Sequence, residues 1–221
     1  MIYEDVALEA PIRQGDIFIK VPKLEFSLED VYFEEQGDDC GFKQASWNEI
    51  IQAFSPQEIA EQIQVSVPIT CVSAIVATQD CDARRSSDIT LCEIRRFRDV
   101  EKSVENASAP KRFVTAITKQ SRYNLKWFYL PPDEEIGFKE KMGVDFQVTL
   151  RLQRQELENF RFLRKKRLNE IADEHFRERI AEFFRRYPYD EWYPLNKEEF
   201  AAYAADHAQE PPEPFPWQIE K

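Results

Sequence analysis

The segment Gln79-Asp80-Cys81-Asp82 places a carboxylate on each side of a thiol, directly after an apolar run. Carboxylates and thiols can activate water, hold a cation or serve as a nucleophile. A thiolate forms most easily beside positive charge, so catalysis by Cys81 requires Arg84 or Arg85 to fold back over it. We call these four residues the QDCD segment. The candidate catalytic residues around it are Thr78, Asp80, Cys81, Asp82 and Arg84.

A structural role for the QDCD segment competes with catalysis. Aspartate side chains often bond backbone amides in turns, so Asp80 and Asp82 would organise a tight connection. Gln79 and Cys81 would then face inward. We favour this interpretation, in which the remaining charges serve recognition of a partner. The candidate binding residues on this loop are Gln79, Asp80, Asp82, Arg84 and Arg85.

The sequence predicts neither a metal site nor a cofactor. Cys71, Cys81 and Cys92 are spaced too evenly for the close ligand pairs that zinc sites use. The 2 histidines, His175 and His207, fall on predicted helices, so no general base stands beside the QDCD segment. The chain also lacks a glycine-rich phosphate loop, a G-x-S-x-G elbow and an H-E-x-x-H pair. Nucleotide-dependent and familiar hydrolytic enzymes therefore lose their main support.

A hairpin must position the QDCD segment. The run 65–78 is rich in Val, Ile, Thr and Ala and contains no charge, which predicts a strand covered on both faces. Residues 88–94 resume as a second strand, so the segment lies on the loop of an antiparallel hairpin. Cys71 and Cys92 lie inside these apolar runs and are predicted core residues.

Helical elements surround the predicted strands. Ser46 and Ser55 each precede a glutamate by three residues, a spacing that predicts two capped helices. Apolar residues recur at helical spacing from Leu168 to Tyr187, where Pro188 ends the pattern. The other predicted elements are strands at 15–22, 124–130 and 144–152, helices at 108–119 and 196–208, and an extended proline-rich tail in which Phe215 and Trp217 are candidate binding residues.

A basic cluster precedes the long C-terminal helix. Such charge runs are common on helix surfaces, so we favour a solvated face over a phosphate-binding site. The formal net charge of −11 also opposes binding to a polyanion, which disfavours nucleic acid as a partner. The members of the cluster are Arg161, Arg164, Lys165, Lys166 and Arg167.

The composition is that of a folded protein with its own core. The 221 residues include 17 phenylalanines, enough for a core that needs no metal or disulfide. Residues 1–5 lack the basic flank and apolar core of a signal peptide, and no apolar run approaches the length of a membrane span. We therefore expect a cytoplasmic protein with reduced thiols and no membrane partner.

Two short strings resemble the MazF/PemK toxin family over about residues 12–95. They are Gly15-Asp16-Ile17, which opens the first strand, and Ala74-Ile75-Val76-Ala77-Thr78, which begins the hairpin. The resemblance implies an α+β fold: a small SH3-like β-barrel or a strongly bent antiparallel sheet, with inserted short helices and a C-terminal helical part. The QDCD segment, Tyr129-Leu130-Pro131-Pro132 and the helix at 167–185 also resemble bacterial proteins of unassigned function.

The toxins are endoribonucleases that use an Arg in an Arg-Pro step before the apolar strand and a Ser or Thr near the hairpin. Val72 occupies the place of that Arg in this chain, and only Thr78 matches the second requirement. Without that Arg, the negative charge that develops on the phosphate during RNA cleavage loses a large stabilising interaction. The resemblance therefore favours a non-catalytic protein-binding or regulatory module, which we expect to act in a bacterial stress-response or phage-defence system.

The alternatives left open are a divergent MazF-like endoribonuclease and a cysteine-dependent enzyme that uses Cys81. The expected partner is another protein, and a homodimer is among the assemblies left open. We expect three parts in the chain: a MazF/PemK-like barrel domain at 1–155, C-terminal helices at 156–209 and the tail at 210–221.

Overall fold

The computed structural model describes residues 2–35, 41–96 and 126–185, together with Ala205. The chain forms two compact units, Met1–Phe183 and Phe184–Lys221, and both sheets lie in the first. The predicted helix at 108–119, the predicted helix at 196–208 apart from Ala205, and the tail with Phe215 and Trp217 lie outside the described residues.

The described part of the chain is an α+β structure with two antiparallel sheets. Its strands are β1 (Tyr3–Glu4), β2 (Asp16–Leu24), β3 (Val31–Glu35), β4 (Phe42–Ala45), β5 (Ile63–Ser66), β6 (Ile69–Val76), β7 (Asp88–Arg96), β8 (Trp127–Leu130), β9 (Met142–Gln153) and β10 (Arg164–Leu168). Its helices are α1 (Trp47–Ala53), α2 (Pro56–Gln62), α3 (Asp80–Ala83), α4 (Arg154–Asn159) and α5 (Glu170–Arg185), with a 3₁₀ turn at Arg161–Leu163. None of the described helices has the length and apolar character that a membrane crossing requires.

The large sheet has seven strands in the order β1-β10-β2-β6-β7-β9-β8. No backbone ladder joins β1 to β8 among the described residues, so no closed barrel is found there. Side chains nevertheless bring the two edges together. The Tyr3 hydroxyl donates to the Pro131 carbonyl at 2.7 Å, and the Tyr3 and Phe138 rings pack edge to face at 6.5 Å. Side-chain contacts therefore link the two ends of the strand order.

The predicted hairpin around the QDCD segment is confirmed, since β6 pairs antiparallel with β7 and Val76 lies opposite Leu91. The predicted strand at 65–78 is wrong in its extent. It is divided into β5, in the small sheet, and β6, in the large sheet, because Pro68 cannot donate a ladder hydrogen bond. Only its end, residues 74–76, is fully buried, while Ile69 and Cys71 are exposed.

The small sheet has the order β4-β3-β5 and packs with α1 and α2 around its own core of Val31, Phe33 and Ile50. The two predicted helix starts are confirmed. The Ser46 and Ser55 hydroxyls each accept a hydrogen bond from the backbone amide three residues later. The carboxylate of the glutamate at that position accepts one from the backbone amide of the serine. These reciprocal bonds satisfy backbone donors that a helix end otherwise leaves unpaired.

The C-terminal helical stripe packs against the large sheet. Phe176 on α5 is fully buried, and its ring lies 5.1 Å from Phe128 and 5.7 Å from Phe146. β10 lies between β1 and β2, so the expected boundary at residue 155 falls inside one compact unit. The sheet thus depends on a strand from the part of the sequence predicted as helical.

Gly15 occupies the turn where these parts meet. It has φ +81°, and a Cβ added there would lie 3.0 Å from Asp173 Oδ1 and 3.2 Å from Leu168 Cβ. Its amide donates to the Val76 carbonyl, and its carbonyl accepts from Leu168 N. The turn therefore needs glycine both for its backbone conformation and for its close approach to α5.

We expect Gly15→Ala to lower the free energy of unfolding by about 3 kcal/mol, because left-handed strain of about 1–2 kcal/mol adds to a steric clash. Gly137→Ala is the matched control for strain alone, since Gly137 has φ +90° but an added Cβ meets nothing within 4 Å. Gly41→Ala, which also meets nothing, controls for both effects. Urea denaturation measures all three. Equal losses for Gly15→Ala and Gly137→Ala would remove the packing argument.

Candidate functional site

Asp80 ties the QDCD segment to the turn before β2. Its Oδ2 accepts from Arg13 Nε at 2.9 Å and also from Arg13 Nη2, while its Oδ1 accepts from Gln14 N at 2.9 Å. Burial opposes the charged form, but the bonds from Arg13 and Gln14 prevail and lower the pKa of Asp80. Both carboxylate oxygens are therefore engaged in holding two loops together.

The rest of the QDCD segment points outward. It forms the single helical turn α3, in which Ala83 is buried while Gln79, Cys81 and Asp82 are exposed. The expectation that Gln79 and Cys81 face inward is wrong. Residues three apart share one face of a helical turn, so Asp80 and Ala83 take the inner positions and exclude Cys81 from them.

The structure gives no support to activation of Cys81. Its thiol is exposed, and the hydrogen bonds and ion pairs of the described residues include none between Cys81 and Arg84 or Arg85. The backbone carbonyl of Arg84 accepts a hydrogen bond from Arg154 Nη1 at 2.6 Å. The contacts of the described residues therefore do not supply the guanidinium that a nucleophilic cysteine would use.

A polar cleft lies beside α3, and three of the predicted residues, Thr78, Asp82 and Arg85, line it. The Thr78 hydroxyl is already engaged, since it accepts from Thr90 N at 2.7 Å and lies 3.4 Å from the Thr90 carbonyl. Asp88 pairs with Arg151 at 2.6 Å across the cleft. The cleft encloses about 570 Å³ and is lined by Thr78, Asp82, Arg85, Ser86, Asp88, Thr90 and Arg151.

Asp16 is the most deeply buried of the described carboxylates that pair with an arginine. Its side chain is 0% exposed and accepts from Arg164 Nη1 at 3.0 Å and from Arg167 Nε at 2.6 Å. Arg13 N adds a further bond at 2.9 Å. The other guanidinium hydrogens of Arg164 reach the carbonyls of Ala7, Leu8, Ala10 and Pro11.

The expectation that the basic cluster forms a solvated helix face is wrong. Arg164, Lys165, Lys166 and Arg167 lie on strand β10, and the Arg164 side chain is only 2% exposed. Lys166 contacts the carboxylates of Asp5 and Glu135, and its pKa is raised by these hydrogen bonds. Of the four, Lys165 is the exposed one, at a bulge in the ladder to β2. Most of the cluster is structural.

Asp173 approaches the same turn from α5. It is 7% exposed, its Oδ2 accepts from Arg177 Nη2 at 2.6 Å, and its Oδ1 has no hydrogen-bond partner among the described residues. Burial raises the pKa of Asp173, and the negative charge of Asp80 adds to the rise. The sequence pattern offered no signal for this residue beyond its place in the acidic first turn of the helix.

An apolar groove lies between β2 and α4. It encloses about 390 Å³, and Lys20 and Glu156 are its charged residues. Lys20 sits at a bulge between β2 and β6 with φ +55°. Phe160, on the rim, is 51% exposed, and its ring lies 5.7 Å from that of Phe162, which is 60% exposed. The remaining lining residues are Phe18, Val21, Pro22, Leu152, Leu157 and Leu163.

The cysteines and acidic residues of the described part show no metal-binding arrangement. No group of three or more His, Cys, Asp or Glu side chains with suitable geometry occurs there. Cys92 is buried, as predicted, and burial raises its pKa to about 12. The prediction that Cys71 is a core residue is wrong, because β6 is covered only at its far end. His175 is exposed on α5.

Comparisons of the chain with protein-family models, curated proteins and solved structures find no match.

The buried Asp173 makes stability depend on pH. Its folded pKa lies above its ordinary value of 3.8, so the folded protein binds a proton more tightly than the unfolded chain. The resulting destabilisation is absent below the pKa of Asp173 in the unfolded chain. It grows as pH rises from that pKa through the higher pKa of Asp173 in the folded protein. We expect Asp173→Asn to gain stability relative to the wild type over that interval.

Urea midpoints measured in steps from about pH 3.5 to pH 7 test this expectation. Glu174→Gln, at an exposed position next to Asp173, is the matched control and should track the wild type. A difference between Asp173→Asn and wild type that stays constant with pH, or that shrinks as pH rises, would contradict it.

Proposed function

We propose that this chain is a non-catalytic protein-binding module that recognises its partner through the apolar groove. The observation that carries the proposal is the pair of exposed aromatic rings, Phe160 and Phe162, beside an open apolar cavity. Exposed apolar surface of this kind marks interaction sites, and aromatic side chains are enriched in the centres of interfaces. A partner would cover surface that water now contacts.

The arrangement of the QDCD segment supports a binding role over a catalytic one. Asp80 is held by Arg13 and Gln14, so it is not available as a general base without breaking the link between two loops. No hydrogen bond of the described residues joins Cys81 to an arginine. The chemistry that the segment suggested therefore lacks its necessary neighbours.

The biological setting rests on the resemblance to the MazF/PemK toxins. We place the protein in the cytoplasm of a bacterium, in a stress-response or phage-defence system, as a MazF-like fold that has exchanged catalysis for partner binding. The contact between Tyr3 and Pro131, which links the two ends of the seven-stranded sheet, supports a barrel-like ancestor of this kind.

A photo-crosslinking amino acid in place of Phe160 tests the proposal in the native cells. We expect one discrete adduct, and mass spectrometry identifies the protein in it. The same amino acid in place of Phe42, a more exposed aromatic residue on β4, is the control and should give no such adduct. Purified partner should then bind Phe160→Asp about tenfold more weakly than wild type, as expected for an interface anchor. Equal adducts at both positions, or none at Phe160, would refute the proposal.

A second candidate function, a divergent endoribonuclease, is favoured by one observation: Thr78, Asp82 and Arg85 line one cleft with Arg151. The charges in that cleft offset each other, because two carboxylates face two guanidinium groups. A phosphate would have to compete with Asp88 for Arg151. The cleft therefore lacks the excess positive charge that would attract and stabilise RNA.

Incubation of purified protein with mixed RNA, with and without divalent cation, separates the two functions. We expect no cleavage above the buffer background, because the cleft carries no unopposed cation pair. Cleavage that is lost in the double variant Arg85→Ala/Arg151→Ala and kept in Lys20→Ala would establish the nuclease instead. Lys20 is the control because it lies in the apolar groove and not in the cleft.

A further inference from the structure

The apolar groove runs along an edge of β2 that the neighbouring strand leaves open. β10 pairs with β2 only between Asp16 and Phe18. Beyond Phe18, the ladder of β2 among the described residues is with β6, on its other side. The groove is lined there by Lys20, Val21 and Pro22, with α4 and the 3₁₀ turn forming the opposite wall. A strand can pair with an open edge of this kind, and a helix can lie in an apolar groove beside it.

This edge is poorly suited to the addition of a strand. Pro22 has no N–H to donate to an incoming backbone, and proline on an edge is a common device against strand pairing. Lys20, with φ +55°, departs from the extended conformation that a regular ladder needs. Two interruptions within three residues leave no stretch on which an added strand could form consecutive hydrogen bonds.

The other walls of the groove are equally unsuited to an extended peptide. They are formed mainly by aliphatic and aromatic side chains, Leu152, Leu157, Phe160 and Leu163, which offer no hydrogen-bonding groups. An extended backbone buried against them would leave its amides and carbonyls unpaired, at a cost of about 1–3 kcal/mol for each group. An α-helix pairs its own backbone groups and presents only side chains to the wall.

We infer that the partner seated in the apolar groove is an amphipathic α-helix, an inference that rests on the proposed protein-binding function. Its apolar residues follow the spacing i, i+3, i+4 and i+7 and contact Leu157, Phe160 and Leu163. The two charged groups of the groove, Lys20 and Glu156, have no salt-bridge partner in the described part of the chain. The helix therefore carries an acidic residue facing Lys20 and a basic residue facing Glu156.

Selection from two display libraries tests the inference on the purified full chain. The first library has a fixed helix-favouring framework with varied residues on one face. The second has the same varied residues in an extended, proline-containing framework that cannot form a helix. Clones from each are measured by fluorescence polarisation against wild type, Phe160→Asp and the control Phe42→Asp. Phe160 and Phe42 are both exposed, so neither substitution removes a core contact.

We expect enriched clones from the helical library, with Kd raised about tenfold by Phe160→Asp and unchanged by Phe42→Asp. The charge-reversed protein Lys20→Glu/Glu156→Lys should weaken these clones, and exchange of the acidic and basic residues in the peptide should restore binding. Such rescue identifies the charge contacts, which a loss of folding cannot imitate.

The remaining outcomes separate the inference from the function on which it rests. Extended clones that depend on Phe160 would overturn the helical partner and leave the protein-binding function standing. Clones of either kind that are insensitive to Phe160→Asp, or the absence of enriched clones from both libraries, would overturn both. Helical clones that show no charge rescue would overturn the assigned roles of Lys20 and Glu156.

Discussion

The ionic group at Asp16 is the interaction on which the rest of the fold depends. A carboxylate with no solvent exposure is tolerated only when cations and hydrogen bonds replace its water, and Arg164 and Arg167 supply both. The same guanidinium of Arg164 holds four carbonyls of residues 7–11, so one side chain fixes the N-terminal segment, β2 and β10 together. Loss of Asp16 would leave the buried guanidinium of Arg164 without its carboxylate, which typically costs several kcal/mol.

The position of this ionic group explains why the QDCD segment connects its own loop to the turn before β2. Asp16 orders the turn that includes Gly15, and that turn presents Arg13 and Gln14 N to Asp80. The carboxylate of Asp80 is thereby engaged in holding two loops together, while Asp82 faces the polar cleft. The ladder between β10 and β2 ends at Phe18, directly after the residues that the ionic group holds. The apolar groove begins where that ladder ends.

Local signals in the sequence predicted the local structure well. The capping boxes at Ser46 and Ser55, the hairpin after residue 76 and the stripe that buries Phe176 all depend on residues within one or two turns of each other. Asp16 and Arg164 are 148 positions apart, and no local pattern connects them. The charges of β10 resembled a helix surface because a buried strand that uses arginine for ion pairing has no apolar period. The groove was likewise invisible, since α4 and β2 meet only through the tertiary fold.

The energetics of the two surfaces decide which of them is the better candidate for recognition. In the polar cleft, a ligand must first replace contacts that the protein already makes, between Thr78 and Thr90 and between Asp88 and Arg151. Exchanging one satisfied polar contact for another gains little free energy. At the apolar groove, covering Phe160 and the neighbouring ring of Phe162 removes apolar surface from water and gains about 25 cal/mol for each Å² buried. Among the described residues no ion pair of Lys20 or Glu156 has to be broken first, so these charges remain available to select the orientation of the partner.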